Sequence, residues 1–425
     1  MPAGPSHDAP GPDRPAPAAV ALLAGLSATG PLSIDMLLPA LPRVTEAFAA
    51  EVVQGQFLVS VFLLGFGGGQ LLYGPLSDRF GRRPVLLGGI ALYTAASLAC
   101  LVAPSLAWLI AARLAHGLGA CAGPVLARAV VRDTHAGAAA ARVLAFVNAG
   151  LGLAPILAPL VGGAVLAWFD WRGIFAVLLG VGLVLAAASG LMLAETNLHR
   201  DPAAHRPGRL AGNYLSILGD RTFLGYLLTL ACAGGTLFAF LSGGPFVLIG
   251  LFGLAPSRFA MAFSGVMLGH IAGSLLSGRL ALRASIPRVT LIGLACLLLG
   301  GAALAALAWA GVAHAAAVAG PMAVIMFGNG LVFPSSMAGA ILPFPRMAGA
   351  ASALVGSLQM VTGFLVGIAT GALHDGTSRP MAYLILGSAV AAAIAFRLGV
   401  WPRAGNGPGE PWRRGSRSRR GRPPG

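Results

Sequence analysis

The sequence predicts an all-α membrane protein with about twelve transmembrane helices. Of its 425 residues, 57% are hydrophobic and 10% are charged, whereas a soluble domain carries roughly 25% charged residues. A spanning helix needs about 20 mostly apolar residues. The chain contains twelve such runs, which lie near residues 17–41, 51–75, 84–103, 105–130, 142–166, 172–194, 222–252, 257–283, 287–311, 315–342, 346–374 and 379–401.

A polar stretch after the sixth run divides the spans into two sets of six. We therefore expect an N-terminal six-helix bundle over residues 17–194, a cytoplasmic central loop over 195–221 and a C-terminal six-helix bundle over 222–401. Residues 1–16 lack the features of a signal peptide and predict a disordered tail. Residues 402–425 predict an arginine-rich cytoplasmic tail that is attracted to anionic lipid head groups.

The two halves resemble each other at one place. Residues 69–76, Gly-Gln-Leu-Leu-Tyr-Gly-Pro-Leu, match residues 273–280, Gly-Ser-Leu-Leu-Ser-Gly-Arg-Leu, at an offset of 204 residues. Both segments end one span and enter the next through a short basic loop. The match predicts two bundles related by a pseudo-two-fold axis along the membrane normal, with a substrate site between them near mid-membrane.

Arginine placement predicts the orientation of the chain in the membrane. All 28 basic residues are arginines. If the N-terminus is cytoplasmic, 23 of them lie in inner segments, Arg113 lies within a span, and the outer segments hold Arg43, Arg172, Arg258 and Arg379. We therefore expect a multi-pass protein of the bacterial inner membrane with both termini in the cytoplasm. This distribution argues against a nucleic-acid partner.

The sequence offers no catalytic or metal-binding constellation. The four cysteines, Cys100, Cys121, Cys232 and Cys296, lie inside apolar runs and lack metal-ligand spacing. A Walker glycine loop and a His-x-x-Glu-His run are also missing from the sequence. We expect no enzyme activity, no metal and no cofactor.

A distinctive basic loop follows the second span. It reads Gly74-Pro-Leu-Ser-Asp78-Arg79-Phe-Gly81-Arg82-Arg83-Pro84. We expect Gly74 and the proline after it to end the second helix and permit a tight turn. Asp78 can form ion pairs with the arginines, and Asp133 can join them in an ion cluster. Such a cluster can stabilise one conformation and dissociate in another. The alternative is a basic loop that only sets the topology.

Asp35 is the candidate for proton coupling. A carboxylate within a span costs about 2.5–3.5 kcal/mol on insertion scales and persists only if paired, hydrated or protonated. At about 1.5 Å per residue, Asp35 and Arg113 lie roughly 9 and 12 Å below the outer surface. We hypothesise that they form a pair that protonation of Asp35 breaks; the alternative is a static salt bridge. His270 can relay protons or be held between packed helices.

These motifs resemble those of the major facilitator superfamily. The Gly74 loop is similar to the superfamily signature between its second and third helices. Asp35-Met-Leu-Leu-Pro39-Ala-Leu-Pro42 and Arg113-Leu-Ala-His116-Gly117-Leu-Gly119 resemble the first-helix and fourth-helix motifs of the Bcr/CflA branch of drug exporters. His116 stands where that branch usually carries glutamine. Together the matches run from about residue 30 to residue 375.

Further candidate residues follow from the resemblance. The fifth span is similar to the superfamily's antiporter motif, with alanine at two glycine positions: Ala154, Ala158, Pro159, Gly162 and Gly163. Small residues there allow close helix packing, which is the alternative explanation. The candidates for a substrate cavity are Met36, His116, Phe238, Phe240, Pro245 and Gln359.

The resemblance implies a monomeric transporter whose two bundles alternate access. A proton gradient would drive it without a cofactor, and its partners would be a small-molecule substrate, protons and the lipid bilayer. We expect export of drug-like substrates such as chloramphenicol-type compounds, bicyclomycin or sulfonamides. The alternative is an exporter or importer of one specific metabolite on the same fold.

Overall fold

Helices form nearly all of the structure. This computed structural model describes residues 17–198, 200–202 and 207–401, so the predicted tails at 1–16 and 402–425 lie outside the described residues. Two 3-10 turns cover Leu38–Ala40 and Pro345–Met347, and a π-helical segment covers Phe246–Leu251. The α-helices are α1 (Pro17–Asp35), α2 (Leu41–Ala47), α3 (Val52–Phe80), α4 (Arg82–Leu101), α5 (Leu106–Thr134), α6 (Gly137–Trp168), α7 (Arg172–Met192), α8 (Pro207–Leu218), α9 (Arg221–Pro245), α10 (Pro256–Leu280), α11 (Ile286–Trp309), α12 (Ala315–Ile341), α13 (Ala348–Ala372) and α14 (Arg379–Gly399).

Twelve stretches of the described chain are long and apolar enough to cross a membrane. The first, Pro17–Ala47, combines α1, a 3-10 turn and α2, and the seventh, Arg221–Leu251, combines α9 with the π-helical segment. The other ten are single helices. The prediction of an all-α protein with twelve spans is therefore confirmed, and α8 is an additional short helix within the predicted central loop.

The chain forms two compact units. Unit 1 comprises Met1–Arg206 and Ala255–Ser264, and unit 2 comprises Pro207–Leu254 and Gly265–Gly425. In unit 1, α3 and α4 pack on α5, α1 packs on α6, and α4 packs on α7. In unit 2, α11 packs on α12 and α14, and α9 packs on α13 and α14. The first part of α10 is grouped with unit 1, although its sequence position lies in the second set of spans.

The internal repeat is visible in matched close contacts between helices. Gly65 of α3 lies against the carbonyl oxygen of Leu114 in α5. Gly269 of α10, which is 204 residues later, lies against the carbonyl oxygen of Ala323 in α12. Small residues at such points let two helix backbones approach closely. A close contact between a glycine and a carbonyl oxygen of a neighbouring helix thus recurs at two glycines that are separated by the offset found in the sequence.

The second span runs further than predicted. We expected Gly74 and Pro75 to end it, but α3 continues through both to Phe80. A proline removes one helical N–H, and membrane-spanning helices accommodate that loss. The helix ends at Gly81 instead. Gly81 has a φ of 102°, a value that glycine adopts readily and other residues do not. The turn is therefore displaced toward Arg82, the first residue of α4.

Candidate functional site

The first span is interrupted directly after Asp35, the last residue of α1. Pro39 has no N–H to offer the carbonyl oxygen of Asp35. The N–H of Leu37 donates to the carbonyl oxygen of Ile34 at 3.1 Å, in place of the regular helical acceptor, Ser33. The interruption therefore leaves carbonyl oxygens next to Asp35 without their helical donors.

The Asp35 side chain is buried and unpaired. The residue is 5% exposed and is the only buried acid among the described residues. Within that part of the chain, its carboxyl group forms no hydrogen bond and no ion pair. A carboxylate inside a span persists where it is paired, hydrated or protonated. Without a partner here, Asp35 depends on water or on a bound proton.

Arg113 is held by backbone carbonyl groups beside this interruption. Its Nη1 donates to the Ser33 carbonyl oxygen at 3.1 Å, and its Nε donates to the Leu58 carbonyl oxygen at 3.1 Å. The guanidinium lies over the Phe62 ring, 4.3 Å from the centroid. Arg113 is fully buried, and its Nη2 has no hydrogen-bond partner among the described residues. The Arg113 guanidinium thus donates to the Ser33 carbonyl oxygen, which lacks its helical donor because the helix is interrupted.

Asp35 and Arg113 do not form the predicted ion pair in this structure. The ion pairs of the described chain all lie at the ends of spans. The prediction located both residues by depth, but depth does not fix the direction in which a side chain points. The donors of Arg113 are directed to carbonyl oxygens instead. The direct pair is absent here, and proton coupling through Asp35 stays a prediction.

His116 connects Arg113 to α4. Its Nδ1 lies 3.0 Å from Nη1 of Arg113, and its Nε2 lies 3.0 Å from Oγ of Ser97. Because arginine only donates, Nδ1 accepts and the hydrogen is on Nε2, so the imidazole is neutral in this arrangement. Ser97 Oγ donates to the Tyr93 carbonyl oxygen at 2.8 Å. The Tyr93 hydroxyl lies 3.3 Å from Ser33 Oγ, which closes the chain of contacts back to α1.

His116 and Met36 lie inside unit 1. They are 0% and 1% exposed, and the His116 ring packs among the rings of Phe62, Tyr93 and Phe175. Both were predicted to line a substrate cavity, but the core encloses their side chains in this structure. For His116, the surrounding bonds assign a structural role beside Arg113, and the cavity role is untested for both residues.

The antiporter-like motif lies on buried positions of α6, and one of its members packs against the first span. Its members are all buried: Ala154, Ala158, Pro159, Gly162 and Gly163. Gly162 lies against the carbonyl oxygen of Met36, where a β-carbon does not fit. Gly163 lies beside Ala260, which also belongs to unit 1. The motif therefore brings α6 close to the irregular segment after Asp35, which agrees with its small-residue packing logic.

Polar side chains in unit 2 gather where α9 packs on α12 and α13. Asn329 Nδ2 donates to Thr236 Oγ1 at 2.8 Å, and Thr236 Oγ1 donates to the Ala233 carbonyl oxygen at 2.7 Å. Gln359, predicted to face a cavity, is 7% exposed and lies beside Gly234. Asn329 was not predicted, and its Oδ1 has no partner in the described chain. A lone asparagine within an apolar run was its only signal.

The aromatic candidates for the substrate cavity are buried in unit 2. Phe238 and Phe240 are 4% and 1% exposed, and Pro245 is also buried. α9 continues through Pro245, and the irregularity follows as the π-helical segment Phe246–Leu251. Such segments often mark functional sites. A role of Phe238, Phe240 and Pro245 in substrate binding is untested.

His270, the second candidate for proton transfer, packs in unit 2. Its ring meets the Phe333 ring edge-on, with centroids 5.8 Å apart, and its carbonyl oxygen lies against Gly330. These contacts favour a packed histidine over a relay.

The turn between α3 and α4 holds an ion cluster. Arg82 forms a short ion pair with Asp78, and its Nε donates to Asp133 Oδ2 at 2.9 Å. Arg83 donates from Nη2 to a carbonyl oxygen near the end of α7 at 2.8 Å. The Arg79 guanidinium lies over the ring of the adjacent phenylalanine, 4.6 Å from its centroid. The structure therefore brings together Arg82 and the two acids that the sequence proposed for a conformational switch.

A third acid, Glu195, was not predicted and joins this turn from the end of α7. Its Oε1 accepts from the backbone N–H of Arg82 at 2.8 Å, and its Oε2 accepts from that of Arg83 at 3.3 Å. These are the first N–H groups of α4, which a helix cannot satisfy itself. Burial would raise the pKa of Glu195, but four backbone N–H groups donate to its carboxylate and lower the pKa overall.

Gly81 makes room for this carboxylate. Besides its positive φ, a β-carbon at Gly81 would overlap the Glu195 carboxylate. Asn197 Nδ2 donates to the carbonyl oxygens of Ser77 at 3.1 Å and Asp78 at 3.0 Å. Two side chains after α7 therefore fasten that segment to the turn. In the sequence they look like any polar loop after a span, so they carried no separate signal.

Internal repeats of membrane-spanning helices, together with ionisable residues buried within a span such as Asp35 and Arg113, are typical of membrane transporters. The chain belongs to the Major Facilitator Superfamily, whose family model matches residues 22–368. The family and the fold are those of transporters rather than enzymes.

Relatives with assigned names indicate the group within the superfamily to which the chain is similar. The chain is 33% identical over 345 residues to multidrug resistance protein D of Escherichia coli, covering 80% of this chain and 85% of that protein. It is 31% identical over 339 residues to a chloramphenicol resistance protein of Pseudomonas aeruginosa, covering 79% and 80%. The predicted resemblance to this group of drug-resistance transporters is confirmed.

A solved structure supports the fold alone. The chain is similar to the xylose transporter XylE from E. coli in a partially occluded, inward-open conformation, with a TM-score of 0.71 and 14% sequence identity. The similarity covers 90% of this chain and 96% of that one. It agrees with the predicted twelve-helix architecture of two repeats.

Proposed function

We propose that this protein is a proton-coupled antiporter that exports drugs or other small amphipathic molecules across the bacterial inner membrane by alternating access. It acts as a monomer without a cofactor, and both termini lie in the cytoplasm. Relatives named for multidrug and chloramphenicol resistance support drugs as the substrate class. The observation that carries proton coupling is the buried, unpaired carboxyl group of Asp35 within the first span.

Asp35 has the setting that an exchanging carboxyl group needs. An ionised carboxylate is costly inside a span unless it is paired or hydrated. When Asp35 is shielded from water, a bound proton removes that cost. When the protein admits water to Asp35, the carboxylate is hydrated and the proton can leave. Gly162 of α6 packs against Met36, directly after Asp35, so movement there reaches a second span.

The cluster at the α3–α4 turn is the proposed conformational switch. Arg82 joins the end of α3 to the end of α5 through Asp78 and Asp133, and Glu195 joins the start of α4 to the end of α7. Charge-assisted hydrogen bonds of this kind are stronger than neutral ones. In the proposed cycle they hold one arrangement of unit 1 and open in another.

The proposal is tested by proton movement in everted vesicles from efflux-deficient cells. The vesicles are energised and loaded with a pH-quenched dye before candidate drugs are added. With the wild-type protein, an exported drug dissipates the gradient, and Asp35→Asn abolishes that response. Glu46→Gln is the matched control, because Glu46 is an exposed carboxyl group in the same span.

Two outcomes contradict the proposal at different points. If Asp35→Asn retains drug-driven proton movement, the coupling group lies elsewhere. If no drug in a broad panel acts while the folded protein is present in the vesicles, drug antiport fails. Transport of one specific metabolite on the same fold then becomes the better explanation.

A further inference from the structure

The loop between α10 and α11 in unit 2 carries positive charge without compensation. Arg279, Arg283 and Arg288 are all exposed. Within the part of the chain that the structure describes, none of the three is in an ion pair or donates a side-chain hydrogen bond. The equivalent turn in unit 1 binds Arg82 between two acids. The basic turn of unit 1 is therefore neutralised by acids, whereas the basic turn of unit 2 is not neutralised by any described residue.

An apolar residue occupies the position of the missing acid. Leu282 lies 204 residues after Asp78 and is 87% exposed. It lies on a five-residue turn between spans that end at Leu280 and begin at Ile286, so in a membrane it lies at head-group depth. A leucine this exposed packs little of its side chain against the residues that the structure describes. At that depth, however, its side chain can enter the acyl region.

The other described charged residues at this end of unit 2 also leave the positive charge of the loop uncompensated. Arg397 is exposed in the last turn of α14, which packs on α11 with Gly301 against Leu386. Among the described acids of unit 2, Asp220 precedes α9 and so lies at the same end of the spans, but its carboxylate caps α9 through the N–H of Phe223 at 2.7 Å. Asp375 follows α13 and therefore lies at the opposite end of the spans.

We propose that Arg279, Arg283 and Arg288 bind the phosphate of an anionic phospholipid while Leu282 inserts among its acyl chains. Guanidinium groups present planar pairs of donors that match phosphate oxygens. Basic residues at the membrane surface attract anionic head groups. A soluble phosphate would satisfy the arginines but would leave Leu282 in water, so the leucine selects a lipid as the ligand. The inference needs unit 2 to lie in a membrane and does not depend on substrate or proton coupling.

Lipid retention by the full-length protein tests this site. The protein is reconstituted in vesicles of phosphatidylethanolamine and phosphatidylglycerol in equal amounts and extracted in mild detergent, and bound lipid is counted by native mass spectrometry. Each of Arg279→Gln, Arg283→Gln and Arg288→Gln is expected to lower phosphatidylglycerol retention by about fivefold, and the triple variant abolishes it. Arg258→Gln, an exposed arginine at the opposite end of α10, retains the wild-type level.

A second arm separates a lipid from a soluble anion. Leu282→Ala is expected to lower phosphatidylglycerol retention while binding of inorganic phosphate is unchanged. Retention that is unaffected by Leu282→Ala and is displaced by inorganic phosphate would overturn the lipid assignment. Wild-type retention in the triple variant, or an equal loss with Arg258→Gln, would overturn the site itself. Thermal unfolding in detergent verifies folding, and the single variants carry the test if the triple variant fails to fold.

Discussion

The hydrogen bonds of Arg113 decide which side chains near Asp35 are able to hold a proton. His116 accepts from Arg113 on one ring nitrogen and faces Ser97 with the other. A second proton on the imidazole would place N–H against N–H and break the contact with Arg113. Within this arrangement His116 is a polar link, which leaves the carboxyl group of Asp35 as the proposed exchanging group.

Replacement of His116 by glutamine is expected to be mild, and replacement by leucine is expected to be severe. A glutamine oxygen can accept from Arg113 while its amide nitrogen donates to Ser97. Leucine leaves buried polar groups unpaired, which costs about 1–3 kcal/mol. Thermal unfolding of the two purified variants in detergent compares them. An equal loss of stability in both would show that shape, not hydrogen bonding, governs this position.

At the scale of elements, the α3–α4 turn depends on a residue that lies more than a hundred positions away in the sequence. Glu195 places a negative charge at the N-terminus of α4, where the helix dipole and the free N–H groups favour it. The sequence predicted a basic turn with acids from α3 and α5, but not the carboxylate from the end of α7. A single sequence shows that a residue is polar, but it does not show which helix end that residue will reach.

Glu195 predicts a pH dependence of stability. Its pKa is lowered in the folded protein, so its contribution is present above the unfolded pKa of about 4.3 and is lost as the pH falls through the lower folded value. We expect Glu195→Gln to be less stable than wild type at neutral pH and the difference to narrow below about pH 4. Thermal unfolding across this range measures it. A difference that does not change with pH would contradict the charged role.

Two glycines of the same sequence motif, one in α3 and one at its end, give a matched pair of substitutions. Gly81→Ala is expected to cost about 1–3 kcal/mol, because the φ of 102° and ψ of 155° at Gly81 lie in a region that essentially only glycine adopts, with further loss from overlap with Glu195. Gly74→Ala serves as the control, because Gly74 is helical and has open space around its β-carbon position. Unfolding in detergent compares them. A Gly74→Ala variant that loses as much stability as Gly81→Ala would place the constraint in the helix rather than in the turn.

At the scale of the whole molecule, the sequence predicts the features that depend on local hydropathy. All twelve spans were located, because each needs only a local run of apolar residues. α8 was missed, since it is a short amphipathic helix inside a polar stretch. Leu210, Tyr214, Ile217 and Leu218 share one of its faces at helical spacing, and Ile217 is fully buried. The direction of Arg113 was missed because it follows from the interruption of another helix.

The arginine distribution makes a prediction for the whole chain in the membrane. Alkaline phosphatase, which is active only outside the cytoplasm, is fused after Gly376 or within the α10–α11 loop. With both termini inside, the first fusion is active and the second is inactive, while a fluorescent protein at the C-terminus is bright. The reverse pattern would overturn the proposed orientation and with it the positive-inside assignment.

The carbonyl oxygen of Ser33 links the winding of the first span to the position of a full positive charge. If the span wound regularly through Leu37, that oxygen would receive a backbone amide, and Arg113 would share or lose one of its acceptors. If the guanidinium withdrew, the bare oxygen would favour a regular turn. A change of helix type over one turn and a displacement of the buried cation are therefore coupled through one oxygen atom, and that atom lies two residues from Asp35.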